Sequence, residues 1–250
     1  TSSTPIAKYV VSLLKQKEEL TENENFNPIR KPIVTFVDKS IEEKEALIKE
    51  NPDYGEVICR CQTITKAEII EAALNIVRAD GYEALTSRAL GTYLGSSARP
   101  IFTVFKNMEE VQQDMIKSAK ALYKEYVNKG LTTEPPFKGV GTQYILFAVN
   151  EPKLFQLLFM TEQKQIPDLS GVLPLIDESY EQILLSIQED YKICNSSAKK
   201  LYHHLWIYTH GIATLCATKM CRFTDEEIST MITEVCMSIL KNLKEGENND

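Results

Sequence analysis

The chain has 250 residues, a formal net charge of −7 and 43% hydrophobic residues. That is enough apolar content for one large packed domain or two to three small ones. The acidic balance argues against a nonspecific polyanion binder but leaves room for a local basic patch. No apolar run is long enough for a transmembrane span, and no basic-then-apolar leader marks a signal peptide. Six scattered cysteines fit reduced thiols, so the expected location is cytoplasmic, with no membrane partner.

Residues 1–61 read as a short mixed extension. TPIAKYVVSLLKQK predicts an amphipathic helix with Ile6, Val10, Leu13 and Leu14 on one side. TENENFNPIRKP is a polar, proline-marked arm. SIEEKEALIKENP predicts a helix with a Ser40–Glu43 capping box, stopped by Pro52. DYGEVICRC predicts a strand from Val57 to Cys59. Three of these stretches, STPIAKYVVSLL, NFNPIRKPI and NPDYGEVICRCQTIT, resemble the C-terminal end of FAD-dependent oxidoreductases of the glycerol-3-phosphate dehydrogenase or 2-hydroxy-acid oxidase kind. In those proteins the last stretch opens a small domain related to bacterioferritin-associated ferredoxin, which can hold a 2Fe–2S cluster. A cluster takes four thiolates. Cys59 and Cys61 offer two, and the next cysteine is Cys194. A glycine-rich phosphate turn is missing too, since Gly139-Val140-Gly141 follows prolines rather than a strand. The expectation is a non-redox appendage without a cofactor. A redox or metal-sensing Cys59–Cys61 pair stays open as the alternative.

Residues 62–110 carry a different pattern. Thr65 and Glu68 form a capping box, followed by an apolar stripe of Ile69, Ala73, Ile76 and Val77, and Gly81 closes the helix. TSRALGTYLGSSARPIFTVFKN then reads as two short helices joined by a tight turn. Thr86 caps the first, which runs to Leu94, and Gly95 stops it. Ser97 is expected to cap the second, with Pro100 in its first turn. Leu90, Leu94, Ile101 and Phe105 should meet between them. Ala98, Arg99, Phe102, Thr103 and Lys106 then face outward, as a helix entering the major groove would present them.

Gly81, Tyr82, Leu85 and Thr86, then Phe102, Phe105, Asn107, Glu109 and Glu110, stand in the register of one family's DNA-binding head. The run from Thr65 to Val111 resembles the N-terminal domain of the TetR/AcrR transcriptional regulators. The departures are Pro100 and Thr103, where many members carry a small residue and a histidine. The resemblance implies a helix–turn–helix in contact with double-stranded DNA through Lys66, Thr86, Ser87, Arg88, Ser97, Ala98, Arg99, Pro100, Phe102, Thr103 and Lys106. It also implies a dimer on a palindromic operator.

Residues 111–250 read as helices throughout. The first begins near Met108 and runs to Lys129, with Val111, Met115, Ala119, Leu122 and Tyr126 inward and Gly130 as its stop. Further helices are expected over 137–150, 153–160, 173–193 and 197–220. The last starts behind a Thr224–Glu227 capping box and carries a stripe of Ile228, Ile232, Val235 and Ile239. The last two are long and joined by a short connection, so two copies could pair them as a four-helix bundle. NEPKLFQLLFM and LWIYTHGIA loosely resemble the regulatory domains of one TetR subgroup. Such bodies usually enclose an apolar ligand pocket, here expected from Tyr123, Tyr144, Phe147, Phe155, Phe159, Met160, Tyr180 and Trp206. Core packing would use the same residues. His203 and His210 lie two turns apart, too far for one metal ion, so no metal site is expected. No catalytic arrangement stands out.

The fold class expected is therefore all-α, a three-helix head on a helical body, without enzymatic activity. The functional expectation is a ligand-responsive transcriptional regulator, a repressor, with a small-molecule effector. The rivals are a redox or iron–sulfur protein fragment and a helical scaffold that has lost DNA binding.

Overall fold

Capping boxes start three of the helices. At Ser40 the backbone N–H donates to Glu43 Oε2 (2.8 Å) while the Glu43 N–H donates to Ser40 Oγ (3.2 Å), and α1 follows over Ile41–Glu50. Thr65 and Glu68 repeat the arrangement before α2, Lys66–Asp80. Thr224 and Glu227 repeat it again before the last helix. The computed structural model describes residues 35–59, 64–162 and 166–247. The expected N-terminal helix and arm, the Cys59 side chain and all of Cys61 lie outside what is described.

The fold is all-α. Two short strands are the exception among the described residues: β1, Val57–Cys59, pairs antiparallel with β2, Ile64–Thr65. Glu68 ties this region together. Its buried carboxylate accepts the Thr65 N–H (2.7 Å), the Thr65 hydroxyl (2.9 Å) and the Phe36 N–H (3.2 Å). Phe36 is itself buried and stacks on Tyr54, with ring centroids 6.0 Å apart. Phe36, Ile64 and Thr65 thus share a core with α2, and the described residues make one compact unit.

The remaining helices are α3, Ser87–Tyr93; α4, Met108–Leu131; α5, Pro136–Asn150; α6, Pro152–Phe159; α7, Leu169–Ile176; α8, Tyr180–Tyr191; α9, Asn195–Ala217; and α10, Asp225–Glu247. Three details differ from the sequence reading. The inward row of α4 is Val111, Met115, Ala119, Tyr123 and Val127, with Leu122 and Tyr126 half-buried beside it. Such an i, i+4 row is one ridge of the helix, and α4 packs along it. Gly130 does not end α4. It lets the helix touch α5, since a Cβ there would fall 2.6 Å from Val140 Cα. The same spacing governs α10, where Ile228, Ile232, Cys236 and Leu240 are buried and Val235 and Ile239 flank them.

The expected helix over 173–193 is two helices. Asp177 breaks it by an Asx turn, its Oδ1 accepting the Ser179 N–H at 2.8 Å. Among the described residues no helix is long and apolar enough to cross a membrane, and no cluster of His, Cys, Asp and Glu could hold a metal.

Candidate nucleic-acid interface and effector cavity

In the head, Leu85, Leu90, Ile101 and Phe105 are buried together while Leu94 is half-buried. The Thr86 hydroxyl accepts the Ala89 N–H at 3.1 Å and starts α3. The turn behind α3 needs two glycines. Gly95 adopts φ +66°, a left-handed conformation that costs glycine little. Gly91 lies inside α3 and lets the next strand of chain lie on it: a Cβ there would stand 3.0 Å from Ala98 N and Ser96 O. The Ser96 N–H then donates to Gly91 O at 2.8 Å. Sequence reading found Gly95 but missed Gly91, whose signal was a glycine within a helical pattern.

The second short helix expected from the sequence does not form as an α-helix. Residues 97–105 make bends and one 3-10 turn, Ile101–Thr103. Pro100 disfavours helical dihedrals at Arg99, which removes the first turn. Ile101, Phe102, Thr103, Val104 and Phe105 are mediocre helix formers, which gives the rest little reason to extend. The Thr103 hydroxyl donates to Pro100 O at 2.7 Å and closes the turn. Ser97 makes no cap. The Ser96 hydroxyl donates to its carbonyl instead, at 2.9 Å.

The side chains still divide as the pattern required. Ile101 and Phe105 face inward. Thr86, Arg88, Ser97, Arg99, Phe102, Thr103 and Lys106 are exposed, and Ser87, Ala98 and Pro100 are half-buried. Phe102 keeps 45% of its surface in solvent, and so does Tyr93 with 48%. Tyr93 and Thr92, which the sequence reading did not single out, rim a shallow depression with Thr86 and Arg88. Lys66 is engaged by other residues of the chain. Its Nζ lies 3.5 Å from Asp53 and 3.3 Å from Asp114, and 5.9 Å from the centre of the Phe105 ring. Two carboxylates already neutralise it, so it joins residue 53 and α4 to α2. Lys106 pairs loosely with Glu110, at 3.6 Å on an exposed face, where such contacts contribute little.

In the body, the expected pocket aromatics fill a core. Tyr123 lies 5.4 Å from Phe147 and 5.0 Å from Phe159, and Tyr144 lies 5.4 Å from Phe155, ring centre to ring centre. Tyr123, Tyr144, Phe147, Phe155 and Phe159 thus pack ring against ring. Tyr180 stacks on Tyr202 at 5.6 Å, and Met160 is exposed at the end of α6. Of the eight expected residues, Trp206 lines a cavity built otherwise from different residues. That cavity, about 250 Å³, lies between α5, α9 and α10 beside the end of α8. His210 accepts or donates at 2.8 Å to the Tyr144 hydroxyl and stacks under Trp206 at 5.3 Å. Burial lowers its pKa below the usual 6.5. Burial also raises the pKa of Asp177, despite hydrogen bonds from the Ser179 N–H and the Tyr123 and Tyr202 hydroxyls.

Head and body meet through side chains as well as through α4. Arg78 Nε on α2 donates to Glu151 Oε2, between α5 and α6, at 2.8 Å, with both groups mostly shielded from solvent.

No family model matches the chain. It is similar to a glycerol 3-phosphate dehydrogenase of Caloramator mitchellensis, 39% identical over 89 residues, which are 35% of this chain and 18% of that protein. The chain therefore spans less than a fifth of that relative's length. Among solved structures, a Clostridium perfringens protein named "putative fatty acid metabolism regulator" superposes with a TM-score of 0.49 and 18% identity, over 69% of this chain and 96% of that one.

Proposed function

We propose that the chain is a transcriptional regulator that binds double-stranded DNA through the exposed edge of its head. Residues 62–110 form the reading unit, and residues 111–250 form a body that pairs two copies and takes an effector. One observation carries this reading. Arg88 on α3, and Arg99, Phe102, Thr103 and Lys106 beyond the turn at Gly91 and Gly95, are exposed while Ile101 and Phe105 are buried. Arginines and hydroxyls in that setting suit phosphate and base-edge contacts. The likeness of Thr65–Val111 to TetR/AcrR heads points the same way. The single 3-10 turn puts less side chain into a groove than a full recognition helix does, so phosphate contacts carry more of the affinity.

Dimerisation through α9 and α10 is supported by exposed Ile207 and Met237 on those helices, 52% and 58% in solvent. A symmetric pair would set two heads on a palindromic site. An effector that favours one arrangement of α4 changes head spacing and relieves repression. The test is anisotropy of a labelled duplex selected from a random pool. The wild-type chain binds, and Arg99→Ala loses most of that affinity while keeping its helical circular dichroism and its dimer. An unchanged Arg99→Ala affinity contradicts the interface.

The partial identity to a dehydrogenase supports a second reading, a redox protein fragment using Cys59 and Cys61. Absorbance separates the two. A flavin or iron–sulfur spectrum in the purified chain favours the fragment, and a colourless chain that shifts duplex DNA favours the regulator.

A further inference from the structure

The cavity is built from different residues than the aromatic core, and its chemistry is lopsided. Phe137, Leu205, Trp206, Ile232, Cys236 and Met237 give it apolar walls. The one cation among its lining residues is Lys138, half-buried and without an ion pair among the described residues. No carboxylate lines the cavity. A lysine at an apolar-walled cavity with no carboxylate in the lining offers a charge that an anion can pair with. Burial raises the pKa of the Cys236 thiol, and the Lys138 charge works against that rise.

We propose that this cavity binds a small amphipathic monocarboxylate, its carboxylate against Lys138 and its apolar tail against Trp206 and Ile232. This rests on the reading of the body as an effector domain and names that effector's chemical class. Size sets the limit. A void of about 250 Å³ filled at interior density, roughly 0.74, holds about ten non-hydrogen atoms. Two of those are the carboxylate oxygens, so the space suits an acid of about eight carbons in all. An amine of the same length would bring its charge to Lys138 and be repelled.

The location also gives the ligand a physical route to the head. Trp206 stacks on His210, His210 holds the Tyr144 hydroxyl, and Tyr144 packs edge-on against Tyr123 of α4 at 6.0 Å. Two cavity walls, Trp206 and Ile232, belong to α9 and α10, the helices assigned to pairing.

Trp206 is the single tryptophan of the chain, so its emission reports the cavity directly. The full chain without DNA is titrated with 8-bromooctanoate, whose bromine quenches indole on contact, and with octylamine as competitor. Saturable quenching is expected, with no competition by the amine. Lys138→Met should weaken binding at least tenfold, and Cys236→Phe, which fills the void, should abolish it. Because Cys236→Phe alters a buried site, Lys138→Met at a half-buried position is the deciding variant, checked for an unchanged melting curve. Quenching that never saturates, or that Lys138→Met leaves unaltered, overturns the site. A chain that binds bromooctanoate but no duplex overturns the regulator reading alone. A chain that binds duplex but not bromooctanoate overturns the cavity assignment alone.

Discussion

Head and body are made from the same kinds of residue but are held by different means. In the body, rings from α4, α5 and α6 interlock, and side-chain volume fixes the arrangement. In the head, the segment expected to read DNA adds backbone constraints to its buried Ile101 and Phe105: a left-handed Gly95, a tight crossing at Gly91 and one 3-10 turn. The aromatic cluster of the body should therefore be sensitive to lost volume and the turn of the head to added volume. The large rings make the same point, since Phe147 is fully buried and Phe102 is nearly half in water.

The largest effect should come from removing that buried volume. Phe147→Ala is expected to lower unfolding stability by about 3–5 kcal/mol, and Phe102→Ala by roughly 0.5 kcal/mol or less. Urea unfolding followed by circular dichroism measures both, and equal losses would erase the contrast. Next comes the reverse insult. Gly91→Val drives methyl groups into the backbone at Ser96 and Ala98, at about 1–3 kcal/mol. Its duplex affinity should fall while the near-UV signal of the body is retained. A valine variant with wild-type affinity would show that the turn has room the geometry denies it.

A smaller effect is expected where the two regions touch. Arg78→Ala should cost about 1–2 kcal/mol, because it leaves the shielded Glu151 carboxylate without its donor. A double-mutant cycle with Glu151→Ala isolates the pair, and a coupling near zero would mean that this ion pair does not help to join head to body.

The smallest effect is a pH dependence confined to the body. Burial holds the His210 pKa below its unfolded value of 6.5. As pH falls below that value the unfolded chain takes up this proton first, so stability drops on acidification and is level above it. His210→Asn should flatten the slope of the melting temperature between pH 7 and pH 5.5, relative to wild type. An unaltered slope would locate the dependence elsewhere.

The sequence disclosed what depends on neighbours along the chain. The capping boxes at Ser40, Thr65 and Thr224 each join residues three apart, and all three form. Ile101 and Phe105 inward with Arg99 and Thr103 outward was also legible, because a helix and a 3-10 turn divide these residues alike. The shortened recognition segment was written in Arg99-Pro100, but the register of the family pattern outweighed it. Contacts across the chain were not legible. Nothing near Phe36 shows that its N–H reaches Glu68, and nothing near Gly130 shows that Val140 lies against it. The aromatic residues of the body read equally well as pocket or core, because only their mutual distances decide between lining a void and filling it.

The central claim is that the exposed edge of the head holds a duplex. The direct measurement is the salt dependence of duplex binding for wild type and for a chain carrying Arg88→Ala and Arg99→Ala together. Each phosphate contact contributes a slope of about −0.9 in log K against log salt, so the double variant should bind more weakly with a slope shallower by up to about two. Identical affinity and slope in both chains would contradict the account.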